Sequence, residues 1–136
     1  MAALTVDLGA RTISGLAVPY GPVGVDARRR RRYQRDCLRW LARVPLLEEH
    51  VQSARVGWTL RLVDIPAGLL ALFAVDRGRR GDRALAAAAE GWLGLSVGVD
   101  VVEAGPDPAD ASVQLVALAY LTEVSLTRTP IFGGSR

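Results

Sequence analysis

The pattern of apolar and polar positions changes period several times along the chain, and most of it reads as strands. In RTISGLAVPY (11–20) β-branched residues precede the turn signals Pro19, Gly21 and Pro22, which predicts a strand and its end. ARVGWTLRLVDI (54–65) alternates, with Val56, Trp58, Leu60 and Leu62 on one side, the period-two signature of a strand. Pro66 and Gly68 then turn the chain into LLALFAV, a nearly all-apolar strand. In LGLSVGVDVVE (93–103), Leu93, Leu95, Val97, Val99 and Val101 share one face and Ser96, Gly98 and Asp100 the other. After a predicted loop, AGPDPAD, the stretch SVQLVALAYLTEVSLT (112–127) is apolar on both faces for most of its length, as a central or barrel strand is. Two segments read as helices. QRDCLRWLAR (34–43) has apolar residues at helical spacing and is stopped by Pro45, and GDRALAAAAE (81–90) has high helix propensity with Asp82 as its cap.

Six or seven strands with helices inserted between them, rather than alternating with them, argue against a doubly wound sheet. The expected class is α+β, mostly β: a mixed barrel with two or more peripheral helices, in a single domain over 1–136. Half the residues are hydrophobic, which supports a packed core. One cysteine, Cys37, rules out an internal disulfide, and one cysteine with one histidine cannot assemble a His/Cys metal centre. No cofactor is indicated. MAALTVDLGA lacks a basic leader region, and the apolar run 65–75 falls well short of the ~20 residues of a membrane helix, so a soluble, cytoplasmic protein is expected.

Charge alters this picture at one place. All 17 basic residues are arginines, and five form the run Arg28, Arg29, Arg30, Arg31 and Arg32. Read alone, 28–33 is a flexible cationic loop, either solvated or offered to nucleic acid or an acidic partner.

Candidate chemistry centres on His50, the chain's only histidine, in PLLEEHVQS, and on Ser96, flanked by Gly94 and Gly98 in GLSVG. Glycines beside a serine let a substrate backbone approach and leave main-chain N–H groups free for an oxyanion. No helix follows Ser96, so this is not a hydrolase nucleophile elbow. If a histidine assists Ser96, it has to be His50.

Four segments in order connect these residues. RTISGLAVPYG, VPLLEEHVQSARVGWTLRLVDIPAGL, GWLGLSVGVDVVE and LTEVSLTRTPIFGG together resemble the prohead (capsid maturation) proteases of tailed bacteriophages, relatives of the herpesvirus assemblin-type serine proteases. The resemblance runs from Arg11 to about Gly134. It implies an assemblin-like β-barrel, closed or partly open, and a serine endopeptidase with Ser96 as nucleophile, His50 as general base and Glu123 as the acid that orients the imidazole. Glu123 interrupts the apolar strand YLTEVSL, where a carboxylate needs a partner. By looser analogy, Arg128 would support the oxyanion through a water. The implied substrates are the scaffold, the major capsid protein's scaffold-like segment and the enzyme itself, cleaved inside the assembling prohead in the host cytoplasm. The residues 131–136 read as a C-terminal tail, and a homodimer or higher oligomer stays open, as does whether a longer tail of the kind seen in relatives has been removed. The rival reading is a non-catalytic capsid-assembly or nucleic-acid-binding module on the same barrel, using the arginine run.

Overall fold

The computed structural model describes residues 4–26 and 29–132. In chain order these form β1 (Thr5–Asp7), β2 (Thr12–Pro19), β3 (Val23–Asp26), β4 (Arg29–Tyr33), β5 (Leu38–Arg39), β6 (Pro45–Glu48), β7 (Val51–Ile65), β8 (Gly68–Val75), α1 (Arg79–Ala89), β9 (Gly94–Pro106) and β10 (Gln114–Thr127). The fold is mostly β with one helix among the described residues. No helix there is long and apolar enough to cross a membrane.

All ten strands join one sheet, ordered β1-β2-β8-β7-β6-β10-β4-β3, with β5 and β9 also paired to β10. Strand β10 organises the whole. One edge pairs antiparallel with β9 over nearly its full length. The other edge takes β4, β5 and β6 in succession, all parallel, at Gln114–Val116, Ala119–Tyr120 and Val124–Leu126. A strand covered along both edges and set over a core can be apolar on both faces, as this one is. The sheet is not closed. Strand β9 runs beside β2, where Leu95 and Leu4 fill the space above Gly15, but no ladder joins the two strands.

The core is built from short aliphatic side chains with few aromatics. Ile13, Val18, Leu46, Val56, Leu69, Phe73, Val97, Val116 and Val124 are all buried. Helix α1 contributes Gly81, Ala84, Leu85 and Ala88, a spacing that puts one stripe against the sheet. Burying Leu85 alone is worth about 1.5–3 kcal/mol. Arg11 ties the helix start to the strands, donating from Nη1 to Asp82 at 2.8 Å and from Nη2 to the Asp76 carbonyl at 2.6 Å.

Four expectations are corrected. The segment 34–43 is not a helix. Its backbone instead fills the gap on β10 between β4 and β6, with Gln34 N–H donating to the Val116 carbonyl and Ala119 N–H to the Cys37 carbonyl. A helix there would leave that edge of β10 unpaired and buried, which costs more than local propensity returns. Only one peripheral helix therefore remains, and ten strands replace six or seven. In 54–65 the expected face gives way after Val56: Gly57 and Thr59 are buried, Trp58 is only half-buried, and the Thr59 hydroxyl accepts from Val44 N–H. A register shift between Thr59 and Arg61 leaves Leu60 59% exposed. Helix α1 starts before Asp82, with Gly78 at its N-cap and Asp82 in the first turn. Finally, β9 extends through Pro106 into the predicted loop.

Gly81 gives a test of this packing. A β-carbon there would fall 1.9 Å from the Asp76 carbonyl oxygen. Gly81→Ala should therefore destabilise the protein by roughly 1–3 kcal/mol, despite the ~1 kcal/mol gain in helix propensity. The expected result is a lower urea midpoint at unchanged m-value; a raised midpoint would contradict the packing described.

Candidate active site

Strands β6 and β7 are joined by a two-residue turn, Glu49–His50, closed by the pair Glu48 and Val51. Both turn residues have positive φ, 48° and 63°. That is the signature of a type I′ hairpin turn, which usually carries Asn-Gly. A non-glycine residue in this region costs of order 1–3 kcal/mol and persists only where its surroundings over-determine it. Here β10 supplies the restraint. Glu49 N–H donates to the Leu126 carbonyl at 3.0 Å, and His50 N–H donates to Ser125 Oγ at 2.9 Å. The Glu49 carboxylate accepts from Thr127 Oγ1 at 2.5 Å and from Arg128 N–H at 3.1 Å.

The turn sets the His50 ring against Glu123. Nδ1 lies 2.7 Å from Glu123 Oε1 and 3.1 Å from Oε2. In the tautomer with its proton on Nδ1 the ring donates to this carboxylate, and Nε2 keeps its lone pair. The carboxylate is buried, with its side chain 5% exposed, whereas the imidazole is 44% exposed. The ring thus bridges an enclosed acid and the solvent.

Room for the acid comes from β9. Glu123 stands opposite Gly98 in the ladder, and a β-carbon at Gly98 would lie 2.9 Å from Glu123 Cγ and 3.0 Å from Cδ. Gly98 therefore accommodates the carboxylate, a role the sequence reading had given to substrate approach.

Ser96 lies two residues before Gly98 on the same strand, directly opposite Ser125. It is nearly inaccessible (3% exposed), and its Oγ makes no hydrogen bond with any described residue, His50 included. The serine is thus held one ladder rung from the hydroxyl that anchors His50, with its own hydroxyl uncommitted.

The remaining candidates lie elsewhere or play other parts. Arg128 has its backbone on Glu49, and its guanidinium sits over the Trp92 ring at 5.6 Å. Arg28 lies outside the described residues. Arg29 to Arg32 form β4, paired with β3 and β10, so the expected flexible loop is a strand. Acidic and polar neighbours engage three of them: Arg30 donates to Asp110 and Ser112, Arg31 to Gln114, and Arg32 to Gly21 O and the buried Asp107. The Ser112 hydrogen bonds, with help from Arg30, hold the Asp110 carboxyl below its usual range. From Val116, where β4 ends its pairing, to Glu123 the strand advances roughly 23 Å. The arginines are therefore far from His50. Cys37 is no rival nucleophile, since burial pushes its thiol up to about 11.

Sequence reasoning missed Glu49 and Ser125. Strand periodicity was the available signal for Ser125, because it puts Glu123 and Ser125 on one face as it does Ser96 and Gly98. Nothing in the sequence marks Glu49 as a turn residue, because Glu-His is a poor type I′ pair. No protein-family model and no curated protein matches the chain.

The chain's single histidine makes this geometry measurable. Gly98→Ala should displace the Glu123 carboxylate and abolish the downfield Nδ1–H proton signal of His50 in NMR spectra, while the sheet's amide dispersion persists. An unchanged imidazole spectrum in that variant would contradict the placement of Glu123.

Proposed function

We propose that this protein is a serine endopeptidase of the prohead-maturation kind, with Ser96, His50 and Glu123 as its triad. One observation carries the reading: the only histidine sets Nδ1 against a buried carboxylate two ladder positions from a serine whose hydroxyl has no partner among the described residues. The four-segment resemblance supports it independently. A partly open assemblin-like barrel is the corresponding fold, with β9 and β2 lying side by side where closure would occur.

The chemistry is acyl transfer. His50 Nε2 takes the Ser96 Oγ proton as that oxygen bonds to the scissile carbonyl carbon, and Glu123 stabilises the resulting imidazolium. Main-chain N–H groups beside Ser96 hold the oxyanion. The peptide C–N bond breaks as His50 returns the proton to the leaving amine, and water then repeats the sequence on the acyl-enzyme. The substrates are scaffold or the major capsid protein's scaffold-like segment, and the enzyme itself, inside the assembling prohead. Arg128 does not fit oxyanion support as readily, given its position over Trp92. The ion pairs of Arg30 and Arg32 make a row dedicated to nucleic acid the weaker alternative, because a phosphate there would have to displace Asp110 and Asp107.

The decisive test co-expresses the protein with its candidate capsid and scaffold substrates and identifies the products by mass. Ser96→Ala should abolish cleavage; losing the nucleophile of such a unit costs about 10⁶-fold in a well-dissected hydrolase. It should also leave the fold at least as stable, because it deletes a buried hydroxyl that makes no hydrogen bond. Glu123→Gln should retain more activity, with a loss of about 10⁴-fold. Undiminished processing by Ser96→Ala defeats the assignment.

A further inference from the structure

Ser125 is the most enclosed polar residue near the candidate triad, at 0% exposed. Its single hydroxyl touches both partners of the dyad. Oγ accepts the backbone N–H of His50 at 2.9 Å and lies 3.3 Å from each Glu123 carboxylate oxygen, to which it donates. It also stands directly opposite Ser96 in the β9–β10 ladder. Opposite residues in an antiparallel pair hold their β-carbons about 4.5–5.5 Å apart. One side chain is thus bonded to the base's backbone and to the acid, and is in register with the nucleophile.

We propose that Ser125 and Glu49 are positioning residues that hold His50 in productive orientation, a reading that rests on the triad assigned above. Glu49 acts from the other side of the same turn. Its carboxylate closes onto Thr127 Oγ1 and Arg128 N–H, and this fixes a turn whose backbone is unfavourable for both residues. Ser125 satisfies the His50 N–H, which would otherwise point at a buried strand face without an acceptor. Its donated proton occupies a carboxylate lone pair and stops the acid from turning away from Nδ1. Neither residue has to touch substrate. Packing alone does not account for them, since a methyl group would fill the Ser125 site nearly as well but could neither accept nor donate.

The test reads the geometry and the reactivity separately. Because His50 is the only histidine, its ¹⁵N and ¹H imidazole signals belong to one residue. Reactivity is read as the rate at which a fluorophosphonate probe labels Ser96, which needs no natural substrate. In the native protein we expect a single tautomer protonated at Nδ1. Ser125→Ala should give mixed tautomers and lower the labelling rate by about 10- to 100-fold, the scale of partners that orient histidines in other sites. Glu49→Ala should act in the same direction. Glu49→Gln, whose amide oxygen can still accept from Arg128 N–H while its NH2 donates to Thr127 Oγ1, should recover most of the native rate. A folded Ser125→Ala variant with native tautomer and labelling rate overturns the proposal for Ser125. If that variant does not fold, the Glu49 pair decides: equal behaviour of Glu49→Ala and Glu49→Gln overturns positioning, and selective rescue by Gln supports it. Absence of labelling in the native protein would count against the protease reading instead, and the tautomer measurements would still decide the positioning.

Discussion

Hydrogen bonding along both edges of β10 is the constraint from which the rest of the molecule follows. A buried strand cannot leave backbone groups unpaired, and β10 is fourteen residues long. On one edge β9 satisfies it almost throughout; on the other, three short strands and the connecting backbone at Gln34 and Cys37 divide the task. This demand overrides the helical spacing of 34–43. It also brings the β6–β7 turn to the stretch of β10 that carries Glu123 and Ser125, so the candidate site is a by-product of how that edge is filled.

The site itself balances strain against hydrogen bonds. Two non-glycine residues at positive φ form the tip of the hairpin, and an acid is buried beneath it. Each is unfavourable alone. Together they are held by five donors and acceptors from β10 and the residue that follows it, counting the backbone of Leu126 and Arg128 and the side chains of Glu123, Ser125 and Thr127. Ser96 alone is left out of this network. A buried hydroxyl without a partner costs roughly 1–3 kcal/mol, and such a cost at a candidate nucleophile would be a familiar trade between stability and function.

Much of this was legible in the sequence, for identifiable reasons. The strands at 11–20, 54–65, 93–103 and 112–127 were visible because their patterning reflects burial, and in most of them one face does meet the core. His50 and Glu123 could be singled out together because the chain has one histidine and one carboxylate interrupting a long apolar strand, and the two side chains lie within hydrogen-bond distance. What could not be read depends on distant partners. Leu60 points outward because of a bulge that only β8 imposes. The arginine run looks like an unconstrained cationic loop until Asp107, Asp110 and Gln114, some eighty residues away, are brought beside it. Gly98 looks like an opening for substrate until Glu123 is seen occupying the space.

The sequence separations along β10 have a consequence for when the molecule becomes competent. His50 and Ser125 are 75 positions apart, and Arg31 meets Gln114 across 83. Contacts of such range pay their loop-closure entropy late, and β-rich chains dominated by them fold on the slower scale of milliseconds to seconds. During synthesis, β4, β5 and β6 emerge well before the strand that pairs with all three, and the turn bearing His50 has no restraint until then. The imidazole, its acid and the serine therefore come together only when β10 docks. The nascent chain carries the His50 turn for some seventy-five residues before its restraints exist, and Ser96 gains its ladder only with the same docking step, so the order of folding itself decides when the candidate site forms.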